Sequence, residues 1–355
     1  MKIDFKYQGL PWNILFSPGA IKKLPEELSK LGYKRALVLS TPQQVNQAND
    51  LAALLDTACV GVFSDAVMQV PMETVTAAIS AVKDLKADCS VSIGGGSTTG
   101  LGKALAIKSD LPNIAIPTTY AGSEMTNIWA ITEAGRKTTG RDIRVVPNLT
   151  IYDPELTLSL PSHIAGPSGL NAMAQAVVNV TTKNMNPIVS LLALDAVRSL
   201  SKYLPLIIEQ PGNLKARSAV LYGACLAGAS LGTGSTSLHH RLCHTFGGSF
   251  NTPHAETHTV LLPHSVAFNA AATKEGTRQL ANAMEVNDPA VGIFKLAKIV
   301  GAPTALKDIG VKEADLDKAV AIATEKELEN PEPVTKERLR LLLNNAYHGK
   351  VPEAV

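Results

Sequence analysis

A two-domain fold, an α/β layered domain followed by an all-helical one, is predicted by three observations on this 355-residue chain. From Arg35 to Pro154 short β-branched apolar runs alternate with amphipathic stretches. Beyond Pro154 those runs stop and long Ala/Leu-rich segments replace them. Between the two patterns Pro154, Pro161, Gly166 and Pro167 punctuate the chain, as a domain junction would. The expected division is an α/β dinucleotide-binding domain over 1–156 and an all-helical catalytic domain over 157–355, a length that allows each its own core.

The strands expected are Ala36 to Ser40, Cys59 to Phe63, Cys89 to Ile93, Asn113 to Ile116 and Leu149 to Tyr152, which make a mostly parallel sheet of βαβ units. Crossover helices are expected at 42–55, 72–85 and 98–107. The second half predicts helices near 168–183, 187–203, 213–234, 235–247, 258–272, 287–300, 314–328 and 335–348.

Composition narrows the partners. A net charge of +2, without a Lys/Arg block, gives no electrostatic footprint for nucleic acid or an anionic membrane. No window reaches the roughly 18 apolar residues of a spanning helix. The start, Met1 to Tyr7, is too charged for a signal peptide, so a cytoplasmic protein acting on a small molecule is expected. Four cysteines without CxxC spacing read as reduced thiols.

Strand Cys89 to Ile93 runs into Gly94, Gly95, Gly96 and Ser97 and then into a helix, so backbone N–H groups and a positive helix end converge where side chains are missing. A pyrophosphate fits there. The segment is not GxGxxG, because Thr99 holds the third glycine position, and not a P-loop, because Ser97 and Ala104 replace the first glycine and the hydroxyl. The strand ending at Ile116 leads into another polar terminus with Thr118, Thr119 and Tyr120, and neighbouring strand ends of this kind hold dinucleotides. After the first strand stands Thr41, not an acid, so nothing repels a 2′-phosphate and both NADH and NADPH are expected to bind.

Five of the eight histidines fall between Leu238 and His258. His240 and His244 are four apart on one helix, and Pro253-His254 follows a glycine-containing turn that can bring a third imidazole to them. The helix that should complete a metal site offers Asn171 and Gln175, neutral amides where a divalent ion wants a carboxylate and an imidazole. A metal-free catalytic or substrate site is therefore preferred over a weak metal site and over histidines satisfied in a core. His239 and His258 are expected to pack structurally.

Seven segments together resemble the maleylacetate reductase branch of the iron-containing alcohol dehydrogenase superfamily: GGGSTTGLGKA (94–104), PTTYAGSEMT (117–126), RKTTGRD (136–142), IYDPELT (151–157), SGLNAMA (168–174), LHHRLCH (238–244) and TPHAETHTVLLPH (252–264). The resemblance spans about residues 5–350. It implies the dehydroquinate-synthase-like fold, a homodimer, and NAD(P)H-dependent reduction of maleylacetate to 3-oxoadipate in aromatic-compound catabolism. The metal ligands of metal-dependent relatives fall on Asn171, Gln175, His240 and His254. Gln175 and Gln69 stand where the maleylacetate branch usually has histidine.

Without a metal, charge that develops on hydride addition is expected to be stabilised and protonated by His244 and His254, with His240 beside them and Tyr120 as a hydroxyl donor. Asn171 and Gln175 are expected to touch substrate. A dicarboxylate calls for cations, and the segment 135–144, read as a basic loop, supplies Arg136, Lys137, Arg141 and Arg144, with Arg241 another candidate; a merely solvated basic loop is the alternative. Lys137 is placed by the resemblance near the cofactor's ribose or nicotinamide. Alternatives are a reductase of another small carboxylated carbonyl compound and a repurposed, non-reducing member of the fold.

Overall fold

A computed structural model describes residues 4–183 and 185–354. The chain forms two compact units, Gly9–Leu160 and, with residues 4–8, the stretch from Pro161 onward.

The first unit contains β1 (Ile14–Phe16), α1 (Leu24–Leu31), β2 (Ala36–Leu39), α2 (Val45–Leu55), β3 (Cys59–Phe63), α3 (Met72–Asp84), β4 (Cys89–Gly94), α4 (Gly96–Ser109), β5 (Asn113–Pro117), β6 (Ile128–Glu133), β7 (Arg136–Arg141) and β8 (Leu149–Tyr152). Six strands form one sheet in the order β1-β8-β5-β4-β2-β3, every pair parallel. Alternation along β2 shows why both faces are covered. Ala36 and Val38 join Leu24 and Leu28 of α1 and Leu51 of α2, whereas Leu37 and Leu39 join Val75 and Val82 of α3 and Leu101 and Leu105 of α4.

The chain leaves β2 for β3 on one side and returns past β2 to β4 on the other. The carboxyl ends of β2 and β4 therefore flank the topological switch point, where open α/β sheets bind ligands. All five strands expected from the sequence are present. The segment 135–144, expected as a basic loop, is instead largely β7, antiparallel to β6 in a separate hairpin.

The second unit is helical among its described residues: α5 (Ser162–Val180), α6 (Pro187–Glu209), α7 (Leu214–Thr233), α8 (Leu238–Ser249), α9 (His254–Asn269), α10 (Lys274–Met284), α11 (Pro289–Ile299), α12 (Leu316–Ala323) and α13 (Lys336–His348). Asn186, Asn213, Asp288 and Thr335 cap α6, α7, α11 and α13 with side-chain oxygens that accept from first-turn N–H groups. Helix α5 is central. Every residue from Ala165 to Val180 is buried, and the helix packs against α6, α7 and α9. Leu242 and Phe246 of α8 share a core with Val260 and Leu261 of α9, Leu316 of α12 and Leu339 of α13. Among the described residues no helix is long and apolar enough to cross a membrane.

Candidate active site

The glycine turn closes β4 and opens α4 at the switch point. Gly94 has φ +149°, and a Cβ there would lie 2.5 Å from Thr98 Oγ1 and 2.8 Å from Gln44 Oε1. A Cβ on Gly95 would meet Thr119 at 3.0 Å. The turn is thus built without side chains, with hydroxyls crowded around it and the amino end of a 14-residue helix behind it. Thr98 Oγ1 at the turn, and Ser40 Oγ at the end of β2, are fully buried and meet no hydrogen-bond partner among the described residues. Buried polar groups are normally satisfied, so this pair suits a polar ligand that the protein alone does not supply.

Gln44 is a residue the sequence did not reveal. It follows β2, donates through Nε2 to Thr118 Oγ1 at 2.9 Å beyond β5, and lies against Gly94 beyond β4, so one amide ties three strand ends together. An isolated glutamine in a polar stretch carries no motif. Thr41 donates to Gln44 Oε1 at 3.3 Å and presents no acid, as expected. Substituting Gly94 by Ala should raise the dissociation constant for NADH about 5- to 150-fold, the factors to which strain of about 1–3 kcal/mol at this φ corresponds. Fluorescence titration of bound NADH checks this; an unchanged constant would remove the turn from the cofactor site.

Behind the second polar terminus lies a buried network. Lys103 Nζ, on α4, donates to Ser123 O (2.6 Å), Thr126 O (2.7 Å), Thr126 Oγ1 (2.9 Å) and Ile128 O (2.9 Å). Tyr152 donates to Glu124 Oε1 at 2.7 Å, and burial pushes that carboxyl above its ordinary range. The segment carrying Thr118 and Thr119 is pinned from beneath. Tyr120, expected as a hydroxyl donor to substrate, is fully buried on the same segment.

The hairpin corrects part of the cationic clamp. Arg144 is engaged by Asp142 at 2.9 Å and Asp110 at 2.7 Å, and Arg141 donates to Asn127 Oδ1 at 3.0 Å. Lys137, on the exposed strand β7, donates to Gln69 Oε1 at 3.1 Å. Gln69 and the next residue, Val70, have φ of +68° and +48°, a strained corner held by Thr132, which donates from Oγ1 to Gln69 O and from N to Val70 O. Arg136 is exposed, and Arg241 on α8 is half-buried.

In the helical unit Asn171, Gln175 and Asn179 recur every four residues along buried α5 and make a stripe of carboxamides. Asn179 is satisfied: Nδ2 donates to Gln175 O, and Oδ1 accepts from Ser235 N. Asn171 Oδ1 meets no partner among the described residues.

Helices α8 and α9 bring four imidazoles together. The His258 ring lies 4.6 Å from His254, 4.8 Å from His239 and 5.4 Å from His240, and the His239 and His240 rings are 5.3 Å apart. His239 and His258, expected to pack structurally, are buried against each other, and His258 is also the hub at which the rings of the cluster meet. Their positions at α8 and α9 were visible, but the side from which α9 meets α8 was not. His240, His239 and His258 are buried, while His244 and His254 are exposed. Neither ring nitrogen of His240 has a hydrogen-bond partner among the described residues.

Burial, with charge on the neighbouring histidines, drives His239 down to about 3 and His240 and His258 well below the ordinary imidazole range. Burial alone lowers His264 to about 4. These rings stay neutral in the folded chain but take protons in the unfolded one below about pH 6.5. The unfolded state then binds more protons, so stability falls as pH drops from about 6.5 towards 4. By pH 5 each such histidine costs about 2 kcal/mol. Denaturant melts at pH 7 and pH 5 should show this loss, and His264→Gln should recover part of it; a flat profile would show that these rings are not held neutral.

The chain matches the iron-containing alcohol dehydrogenase model over residues 11–154 and the C-terminal model of the same family over 166–347. It belongs to the iron-containing alcohol dehydrogenase family and is an NAD(P)H-dependent oxidoreductase. Within that family it is similar to maleylacetate reductase of Sphingobium indicum, 48% identical over 99% of both chains, and to that of Burkholderia cepacia, 46% identical over 96% of both. The crystal structure of maleylacetate reductase from Agrobacterium tumefaciens superposes with a TM-score of 0.95 at 46% identity, covering 98% of this chain and 99% of that one.

Proposed function

We propose that this chain reduces maleylacetate to 3-oxoadipate with NADH or NADPH, without a catalytic metal, as a homodimer in the cytoplasm. The observation that carries the metal-free part is the donor set. The positions that hold the ion in metal-dependent relatives bear Asn171, Gln175, His240 and His254, with no carboxylate among them. Neutral carboxamides bring no charge to offset a divalent cation, so these residues do not fit the ion, and no step runs through one. Sequence similarity to maleylacetate reductases supports the substrate.

The cofactor does fit. Gly94 to Ser97 and the amino end of α4 take its pyrophosphate, Thr118 and Thr119 border it, and Ser40 and Thr98 offer buried hydroxyls. Lys137, which donates to Gln69 Oε1, would hold its ribose or nicotinamide, as the family resemblance implies. When bound, the nicotinamide supplies a hydride.

The chain's own residues manage charge and proton. Overall, maleylacetate, NAD(P)H and one proton give 3-oxoadipate and NAD(P)⁺. Hydride arriving at the conjugated carbon leaves negative charge on the enolate, which His254 and His244 stabilise as hydrogen-bond donors and then protonate. Their exposure keeps them in reach of solvent protons, whereas buried His240 remains neutral and orients substrate together with Asn171 and Gln175. Arg241 is the cation of the helical unit proposed for a substrate carboxylate, and Arg136 that of the α/β unit; Arg144 is engaged by two aspartates.

Nicotinamide absorbance, followed with NADH and maleylacetate against a panel of small keto acids and aldehydes, tests the reading. Selective oxidation with maleylacetate supports it; turnover of another panel member alone transfers the mechanism to that substrate, and binding without turnover contradicts reduction. Light scattering at twice the mass of one chain is the expected assembly.

A further inference from the structure

The two helices that carry the clustered histidines form a hairpin: α8 ends at Ser249, α9 begins at His254, and a short turn joins those ends. The opposite ends, the start of α8 and the finish of α9, have no chain between them. One amide bridges them. Asn330, in the connection from α12 to α13, accepts at Oδ1 from Leu238 N (3.3 Å), the first N–H of α8. The same oxygen accepts from Nδ2 of Asn269 (3.2 Å), the last residue of α9. In return Asn330 Nδ2 donates to Asn269 Oδ1 and to Glu332 O, each at 2.7 Å.

The way this amide faces is fixed by its backbone partners. A main-chain N–H only donates and a main-chain carbonyl only accepts, so Leu238 N must meet the oxygen of Asn330 and Glu332 O its nitrogen. Asn269 is oriented in turn, and both lone pairs and both hydrogens of Asn330 are used. Ser237, the residue before α8, makes no side-chain cap, so Asn330 takes the place of a local one. Capping α8 alone would need no more than a polar side chain at 237. A cap that arrives from the α12–α13 connection and pairs reciprocally with α9 also relates the two helices to each other.

The bridge is itself held. Pro331 and Pro333 stiffen its segment. Arg338 of α13 donates to Glu332 Oε1 (2.8 Å) and Pro333 O (3.1 Å), and its guanidinium lies 4.7 Å from the ring centre of Phe268, the neighbour of Asn269. On the approach to α8, Ser235 N donates to Asn179 Oδ1 of α5 at 3.1 Å. The start of α8 is therefore tied to α5, α9 and α13, and His239 and His240 follow within two residues. Leu242 and Phe246 pack on Val260 and Leu261 through non-directional apolar contact, whereas these hydrogen bonds have direction and length.

We infer that Asn330, paired with Asn269, is a positioning residue for the reaction: it sets α8 against α9 and so the placement of His240 and His244 relative to His254. The role rests on the proposed function of those histidines; the link between the helices does not.

Asn330→Ala and Asn269→Ala, singly and together, test this through steady-state kinetics and denaturant melts on the same preparations. Asn269→Ala leaves the bond to Leu238 N in place and so removes the link without the cap. Each single variant, folded at the assay temperature, should lose about 10- to 100-fold in kcat for maleylacetate, because imidazoles displaced by about 1 Å lose their alignment. KM for NADH should move by no more than about threefold, and the double variant should be little worse than the poorer single one, as paired groups are not additive. Lowered stability with kcat retained in both singles overturns the inference, since the amide would then be a cap and nothing more. Should Asn330→Ala fail to fold, Asn269→Ala alone decides. Amide hydrogen exchange over residues 238–249 should quicken in either variant, and an unchanged rate in both removes the link. Quickened exchange in a protein that leaves maleylacetate untouched would keep the link and remove the substrate assignment.

Discussion

His254→Ala should lower kcat for maleylacetate reduction about 100- to 10,000-fold, the range that a positioned proton donor contributes. The loss should fall on kcat, because the interaction removed is one that strengthens as the enolate forms, while KM for NADH should move by no more than about threefold. His254 is exposed, although its ring touches His258, so denaturant melts on the same variant separate lost turnover from lost fold. His244→Ala should behave alike. The double variant should be little worse than the more damaging single one, since groups that act as a unit do not add. Steady-state kinetics with denaturant melts on the same preparations decide the matter; near-normal kcat in both single variants would sink the assigned roles.

Lys103→Met should destabilise the first unit by about 3–5 kcal/mol, the cost of stripping one partner from a buried charged cluster. Methionine keeps the volume but leaves four oxygens, from Ser123, Thr126 and Ile128, without their donor. Burial lowers the ammonium to about 7 while Glu124 opposes the shift. More acceptors surround Nζ than its three hydrogens need, so losing the charge would turn a lone pair towards them. Since the pinned segment continues from Thr118 and Thr119, NADH affinity should weaken in the same variant. Urea melts monitored at a tryptophan of this unit, such as Trp129 on β6, read the stability; a loss below about 1 kcal/mol would show that the network is not what holds the loop.

Five of the six sheet strands could be read from the sequence because buried parallel strands are apolar on both faces, as in Ala36 to Leu39 and Ile114 to Ile116, whereas β1, three residues at the sheet edge, is too short to carry the signature. Strand β7 could not: Arg136 to Arg141 is largely exposed, so no buried face imposes a period of two. Helix α10 escaped for a related reason, since Lys274 to Met284 buries only Gly276, Leu280 and Ala283 and reads as polar. In the site, glycines and clustered histidines announced themselves by type. Gln44 and Lys103 did not, because each works through partners more than 15 residues away in sequence: Gln44 reaches Thr118, and Lys103 reaches Ser123 and Ile128. His239 and His258 were visible, but only the packing of α9 on α8 reveals that they face the cluster.

The central claim is that imidazoles, and no bound cation, meet the charge left by hydride transfer. Metal content and maleylacetate-dependent NADH oxidation, measured on one preparation before and after exhaustive chelation, address it most directly. Full turnover with far less than one equivalent of iron or zinc per chain is the predicted result. A stoichiometric ion whose removal abolishes turnover, and whose return restores it, would contradict the account.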